Sequence, residues 1–213
     1  METSTSERKL LAILVADVVG YSRLMGEDDE ATVEALTACR KIFSETVGRH
    51  GGRVVNAPGD SILAEFDSVV NAVAGAVEIQ RELAERNAPL PGHRRMEYRI
   101  GVNLGDVIAK DDAIYGDGVN IAARLESLAE PGEICMSGNA YDQVKSRLPL
   151  EFESLGKKAV KNIAEPVPVF RVLSKPGAAA HRVVRAGRIS GRKGRLIGLA
   201  ASVVIVAGVI AAG

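Results

Sequence analysis

"LLAILVADVV", Leu10 to Val19, is the stretch on which the fold turns. Nine of its ten residues are apolar and they do not alternate with polar ones. A run of strand length without alternation belongs to a strand covered on both faces, hence a central one. Asp17 is the exception. It sits just before a Gly20-Tyr21-Ser22 turn, where it either caps the element that follows or holds a cation.

Outward from this strand the periodicities alternate. Leu36, Cys39, Phe43 and Val47 recur at helical spacing, with Asp28 or Asp29 as a start signal and Gly51-Gly52 beyond the end. "RVVNAPGDSILAEF" holds two short β-rich runs around Pro58-Gly59-Asp60, a hairpin pattern. Val69, Ala72, Ala76, Ile79 and Leu83 define a second amphipathic helix, stopped before Pro89 and Pro91. "YRIGVNLGDVIAK" reads as strand, tight glycine turn, strand, and "YGDGVNIAARLESLAEPG" as a third helix. The strand "EICMS", a helix from about Ala140 to Arg147 and a β pair turning near Ala164 complete the domain. No internal repeat is present. The order is that of an α+β, ferredoxin-like βαββαβ sandwich with additional C-terminal strands and a helix, the helices expected on one face of an antiparallel sheet.

The 213 residues suffice for one such domain with chain left over. Cys39 and Cys135 form no CxxC pair, which gives neither a disulfide framework nor a zinc site and suits a reducing compartment. The net charge is zero but uneven: none of the Asp and Glu residues follows Ser174, whereas "HRVVRAGRISGRKGR" does. That basic stretch lacks interleaved aromatics, so anionic lipid is expected as its partner and nucleic acid is not. Residues 196–213, "LIGLAASVVIVAGVIAAG", carry no charge; at about 1.5 Å per residue they reach about 27 Å, near the hydrocarbon thickness of a bilayer. The expected organisation is a tail at 1–8, a domain at 9–173, a basic juxtamembrane linker at 174–195 and a transmembrane helix at 196–213. The positive-inside rule then places the domain on the cytoplasmic side of the inner membrane. An ordinary buried helix is the alternative for 196–213.

Asp60 lies in the turn of a hairpin that would flank the first strand, so two strand ends would bring Asp17 and Asp60 together. Two close carboxylates repel unless a cation sits between them. Backbone amides at Gly20, Tyr21 and Ser22, opening the next helix, suit phosphates. The pattern is that of a magnesium–nucleotide site, against which stands the reading of Asp17 as a cap and Asp60 as a turn residue. Asn120 and Arg124, four apart, share a helix face in an otherwise apolar stretch. Arg124 on an inward face calls for a substrate, or for an ion pair with Glu126, Glu130 or a neighbouring strand.

"LVADVVGYS", "PGDSILAEF", "RIGVNLGDV" and "IYGDGVNIAARLESLA" resemble, in order, the signature segments of class III nucleotidyl cyclases of the bacterial adenylate/guanylate cyclase group. The likeness runs from Lys9 to Val172. It implies a head-to-tail homodimer with two composite sites, each holding two Mg²⁺ or Mn²⁺ ions on Asp17, Asp60 and the Val18 carbonyl. From the other subunit, Asn120 would orient the ribose and Arg124 would stabilise the transition state; Lys161, in "AVKNIAEPV", matches the family's triphosphate-binding lysine. The resemblance also locates two base-reading positions, a lysine and an aspartate in adenylate cyclases. Here they are Asn56 and Ala113, a departure that leaves GTP beside ATP as substrate. The expected activity is conversion of ATP to 3′,5′-cyclic AMP and pyrophosphate. The alternative is a weak or silent cyclase-like module that binds nucleotide and regulates something else. A polymerase-type or GGDEF palm fits less well, because the Asn120/Arg124 helix is not its pattern.

Overall fold

The computed structural model describes residues 7–159, 163 and 165–173. The strands are β1 (Glu7–Val18), β2 (Gly52–Asn56), β3 (Ile62–Phe66), β4 (Tyr98–Lys110), β5 (Ala113–Tyr115), β6 (Ile134–Ser137), β7 (Glu151–Lys158) and β8 (Val167–Leu173). The helices are α1 (Tyr21–Glu27), α2 (Asp29–Arg49), α3 (Val69–Asn87), α4 (Asp117–Ser127) and α5 (Gly138–Val144). The linker 174–195, the transmembrane segment expected at 196–213 and Lys161 lie outside the described residues. Among the described residues no helix is long and apolar enough to cross a membrane.

One sheet runs β2-β3-β1-β4-β6-β8-β7, with β5 paired to β4. β1 lies antiparallel between β3 (Ala16 opposite Ile62) and β4 (Asp17 opposite Arg99). The β2-β3-β1-β4 order is the ferredoxin-like core expected from the sequence, and β6, β7, β8 and α5 are its additions. β1 is covered on both faces, as its unbroken apolar run requires. Ala12, Leu14, Ala16 and Val18 pack with Phe43, Val47, Val73, Ala76 and Ile79 of α2 and α3, whereas Leu11 and Ile13 pack with Val107, Ile114 and Ala122.

That second cluster corrects the expectation that all helices share one face. α4 lies on the opposite side from α2 and α3, and it does so through glycines. A Cβ at Gly101 would overlap the Ala122 carbonyl oxygen and the Glu126 amide, while one at Gly105 would stand 3.2 Å from the Gly118 Cα. Asn103 Nδ2 donates to the Gly118 carbonyl at 2.9 Å from the same strand. The glycines of "RIGVNLGDV" therefore do not turn the chain: Tyr98–Lys110 is one unbroken strand, whose missing side chains let a helix backbone approach. The turn comes later. Asp111 and Asp112, with φ of 49° and 61°, supply the left-handed pair that a two-residue hairpin needs, and β5 follows, a strand the sequence pattern did not disclose.

Candidate active site

Asp17 is the next-to-last residue of β1. By strand alternation its side chain shares the α4 face with Leu11, Ile13 and Val15. It is no helix cap: α1 opens on Gly20, at φ 69°, without a side-chain cap, and α2 is capped by Asp28, whose carboxylate accepts from the Ala31 amide. Asp17 instead meets the β2–β3 turn and β4, and through β4 it is linked to α4. Its Oδ1 accepts a hydrogen bond from Ser61 Oγ at 2.7 Å and its Oδ2 one from Arg99 Nη2 at 3.1 Å. Arg99 Nε stands 2.8 Å from Glu126 Oε1 of α4, a carboxylate only 8% exposed.

Asp60 precedes Ser61 in the β2–β3 turn, which is closed by the Ser61 amide donating to the Pro58 carbonyl at 3.1 Å. Burial pushes the Asp60 carboxyl above its ordinary range; its own amide opposes the shift, the negative charge of Asp17 adds to it and Arg99 counters it. Glu126 is likewise raised, by burial first, with Arg99 opposing and Asp17 and Asp60 contributing. Three carboxylates thus act on one another around the single guanidinium of Arg99. Hard oxygen donors with surplus negative charge fit Mg²⁺ or Mn²⁺. Among the described residues no three His, Cys, Asp or Glu side chains gather as a complete metal cage, so a metal shell here would be completed by backbone, water and substrate oxygens.

Arg124 departs from expectation. α4 buries Gly118, Ala122, Leu125 and Glu126, and Asn120 and Arg124 fall on its exposed face. The inward charge is Glu126, and it is taken by Arg99 rather than Arg124. Among the described residues Arg124 has no ion pair. The chain therefore brings Asp17, Val18, Asp60 and the Gly20-Tyr21-Ser22 start of α1 to one end of the sheet but leaves Asn120 and Arg124 facing outward. Asn56, exposed at the end of β2, accepts the Ala57 amide on its own Oδ1 at 2.8 Å. Ala113 begins β5. Arg99, Ser61 and Glu126 were not singled out as site residues from the sequence. For Arg99 the signal lies in the β1–β4 register, which sets it directly across from Asp17.

A ferredoxin-like sheet with Asp17 near the end of its first strand, Asp60 in the neighbouring hairpin turn and a glycine-seated helix on the same face as Asp17 defines a class III nucleotidyl cyclase domain. Residues 4–172 match the family model of the adenylate and guanylate cyclase catalytic domain, and the chain belongs to that family. It is 43% identical over 171 residues, 80% of its length, to putative adenylate cyclase 3 of Rhizobium meliloti, of which it spans 29%. The crystal structure of an adenylate/guanylate cyclase/hydrolase from Silicibacter pomeroyi superposes with a TM-score of 0.75 at 39% identity, covering 79% of this chain and 99% of that one. The adenylyl cyclase CyaB from P. aeruginosa gives a TM-score of 0.71 at 26% identity, covering 79% and 96%.

Proposed function

We propose that the domain converts ATP to 3′,5′-cyclic AMP and pyrophosphate at composite sites between two head-to-tail copies. The observation that carries the reading is the separation within one chain: acidic Asp17 and Asp60 at one end of the sheet, and Asn120 with Arg124, which has no ion pair among the described residues, on the outward face of α4. A second copy supplies what each copy lacks. Ring closure forms a bond between the ribose 3′-oxygen and the α-phosphorus and breaks the bond from that phosphorus to the bridging oxygen of pyrophosphate, the hydroxyl proton passing to solvent. Mg²⁺ or Mn²⁺ held by Asp17, Asp60 and the Val18 carbonyl would supply acidification of that hydroxyl and neutralisation of the leaving phosphates. The Gly20-Tyr21-Ser22 turn lies against the triphosphate. The partner's contribution is a ribose hydrogen bond from Asn120, a planar guanidinium from Arg124 for charge developing on the α-phosphoryl oxygens, and Lys161 on the terminal phosphates.

The test incubates the purified chain with Mg²⁺ or Mn²⁺ and each nucleoside triphosphate in turn, and identifies products by mass spectrometry. Cyclic AMP from ATP, lost in Asp17→Ala and in Arg124→Ala, is expected. Absence of any cyclic nucleotide from a demonstrably dimeric sample overturns the assignment.

A further inference from the structure

Arg40 of α2 has no part in the site described so far, yet it reaches the turn that carries Asp60. Its Nη2 donates to the Ala57 carbonyl at 2.7 Å and also to the Gly59 carbonyl. Arg40 Nε is buried and, among the described residues, has no hydrogen-bond partner. The neighbouring Tyr98 hydroxyl is buried in the same way; burial holds that phenol well above its ordinary range, and Arg40 is the positive charge opposing the shift. A guanidinium anchored at the rim of the core is thus fixed to two carbonyls of one loop.

We propose that Arg40 is the positioning residue for Asp60. The link is the rigidity of the peptide group. The Gly59 carbonyl and the Asp60 amide belong to one plane and point in opposite directions, so holding that carbonyl toward α2 turns the Asp60 N–H away from α2. That N–H favours the charged form of the Asp60 carboxyl. Gly59, at φ 58°, is the residue about which this plane would swing most easily, since glycine enters both left- and right-handed conformations at little cost. Arg40 removes that freedom. On the far side of the turn, Ser61 ties the same loop to Asp17, so the separation of the two carboxylates is set from α2 on one side and from β1 on the other. A side chain that orients a metal ligand without touching the metal commonly governs metal affinity by about 10- to 100-fold.

The inference rests on the reading of Asp17 and Asp60 as metal ligands, and the test separates the two. Mn²⁺ binding to the full chain is followed by electron paramagnetic resonance in the presence of a non-cyclisable ATP analogue, for wild type, Arg40→Ala, Arg40→Lys and Asp60→Asn. Amide exchange at Asp60 and Ser61 is measured on the same samples. The expected result is an increase of about tenfold or more in the Mn²⁺ half-saturation concentration for Arg40→Ala, partial recovery in Arg40→Lys, and faster exchange at Asp60 and Ser61 with β1 and β4 unchanged. If Arg40→Ala does not fold, Arg40→Lys carries the test: a single ammonium in place of the fork should still weaken Mn²⁺ binding and speed exchange at Ser61. Wild-type Mn²⁺ binding in the Arg40 variants alongside loss of binding in Asp60→Asn overturns the positioning role alone. Unchanged binding in Asp60→Asn overturns the metal reading, and the positioning role falls with it.

Discussion

Asn56, at the first position proposed to read the base, has its Oδ1 already engaged by the Ala57 amide, which would leave its NH₂ as the group available to a purine edge. A donor alone serves adenine N1 and guanine O6 equally, and Ala113 offers nothing. Rejection of the wrong base depends on leaving a buried polar group unpaired, so ATP should be preferred over GTP only modestly. The double variant Asn56→Lys/Ala113→Asp is expected to sharpen the ratio of kcat/KM values by about 1–3 kcal/mol; a wild type that already rejects GTP by orders of magnitude removes both residues from base reading. Asp28 carries a pH dependence. The Ala31 amide, followed by Arg94, holds its carboxyl below the ordinary value of 3.8. The carboxylate therefore contributes stability that is complete above that pH and is lost as pH falls through the lower folded-state value. Asp28→Asn keeps an acceptor for Ala31 but no charge. Its thermal midpoint should fall below that of wild type at neutral pH, and the gap should close as the acid limb is descended.

At the scale of elements, the seating of α4 on β4 decides whether the site exists. Gly101 gives way to the Ala122 carbonyl and the Glu126 amide, so Gly101→Ala must push the helix off the strand and draw Glu126 away from Arg99. Overpacking of this kind costs about 1–3 kcal/mol, or more where backbone must move. Gly48→Ala is the control, because a Cβ there meets nothing within 4 Å and a helical alanine is favoured over glycine. Urea unfolding of the two variants should show a clear loss for Gly101→Ala and none for Gly48→Ala. Local pattern alone misread the glycines of "RIGVNLGDV" as a turn, because nothing in a strand's own sequence announces that a helix thirteen or more residues later will lie against it.

At the scale of the whole molecule, the composite sites proposed above would make dimerisation a condition for activity. In an equal mixture of Asp17→Ala and Arg124→Ala with free exchange, random pairing puts half of all chains into mixed dimers, each with one intact site. Activity should approach about a quarter of wild type. No recovery despite shown exchange defeats the shared-site model. The segment 196–213 and the basic linker before it predict attachment to the membrane with the domain on the cytoplasmic side; release of the intact chain by carbonate washing would refute a spanning helix. A chain ending before His181 is expected to fold as a soluble domain.

Periodicity and turn residues alone determined most of the architecture. The unbroken apolar run of β1, the Pro58-Gly59-Asp60 hairpin and the helical spacings of α2 and α3 are local patterns whose cause is burial of one face or both, and local patterns can be read without a fold. Asp17 and Asp60 were legible as a pair because one ends the first strand and the other lies in the turn of the hairpin predicted to flank it. What only the tertiary structure decided is orientation. Which face of the sheet α4 covers, that Glu126 rather than Arg124 turns inward, and that Arg99 lies between two carboxylates all follow from strand register and from the close approach permitted by Gly101 and Gly105. A helical wheel gives the phase of a helix relative to its own apolar stripe but not the surface that stripe will meet. Where two charged residues lie one turn apart or less, as Arg124 and Glu126 do, the packing partner chooses which of them is buried.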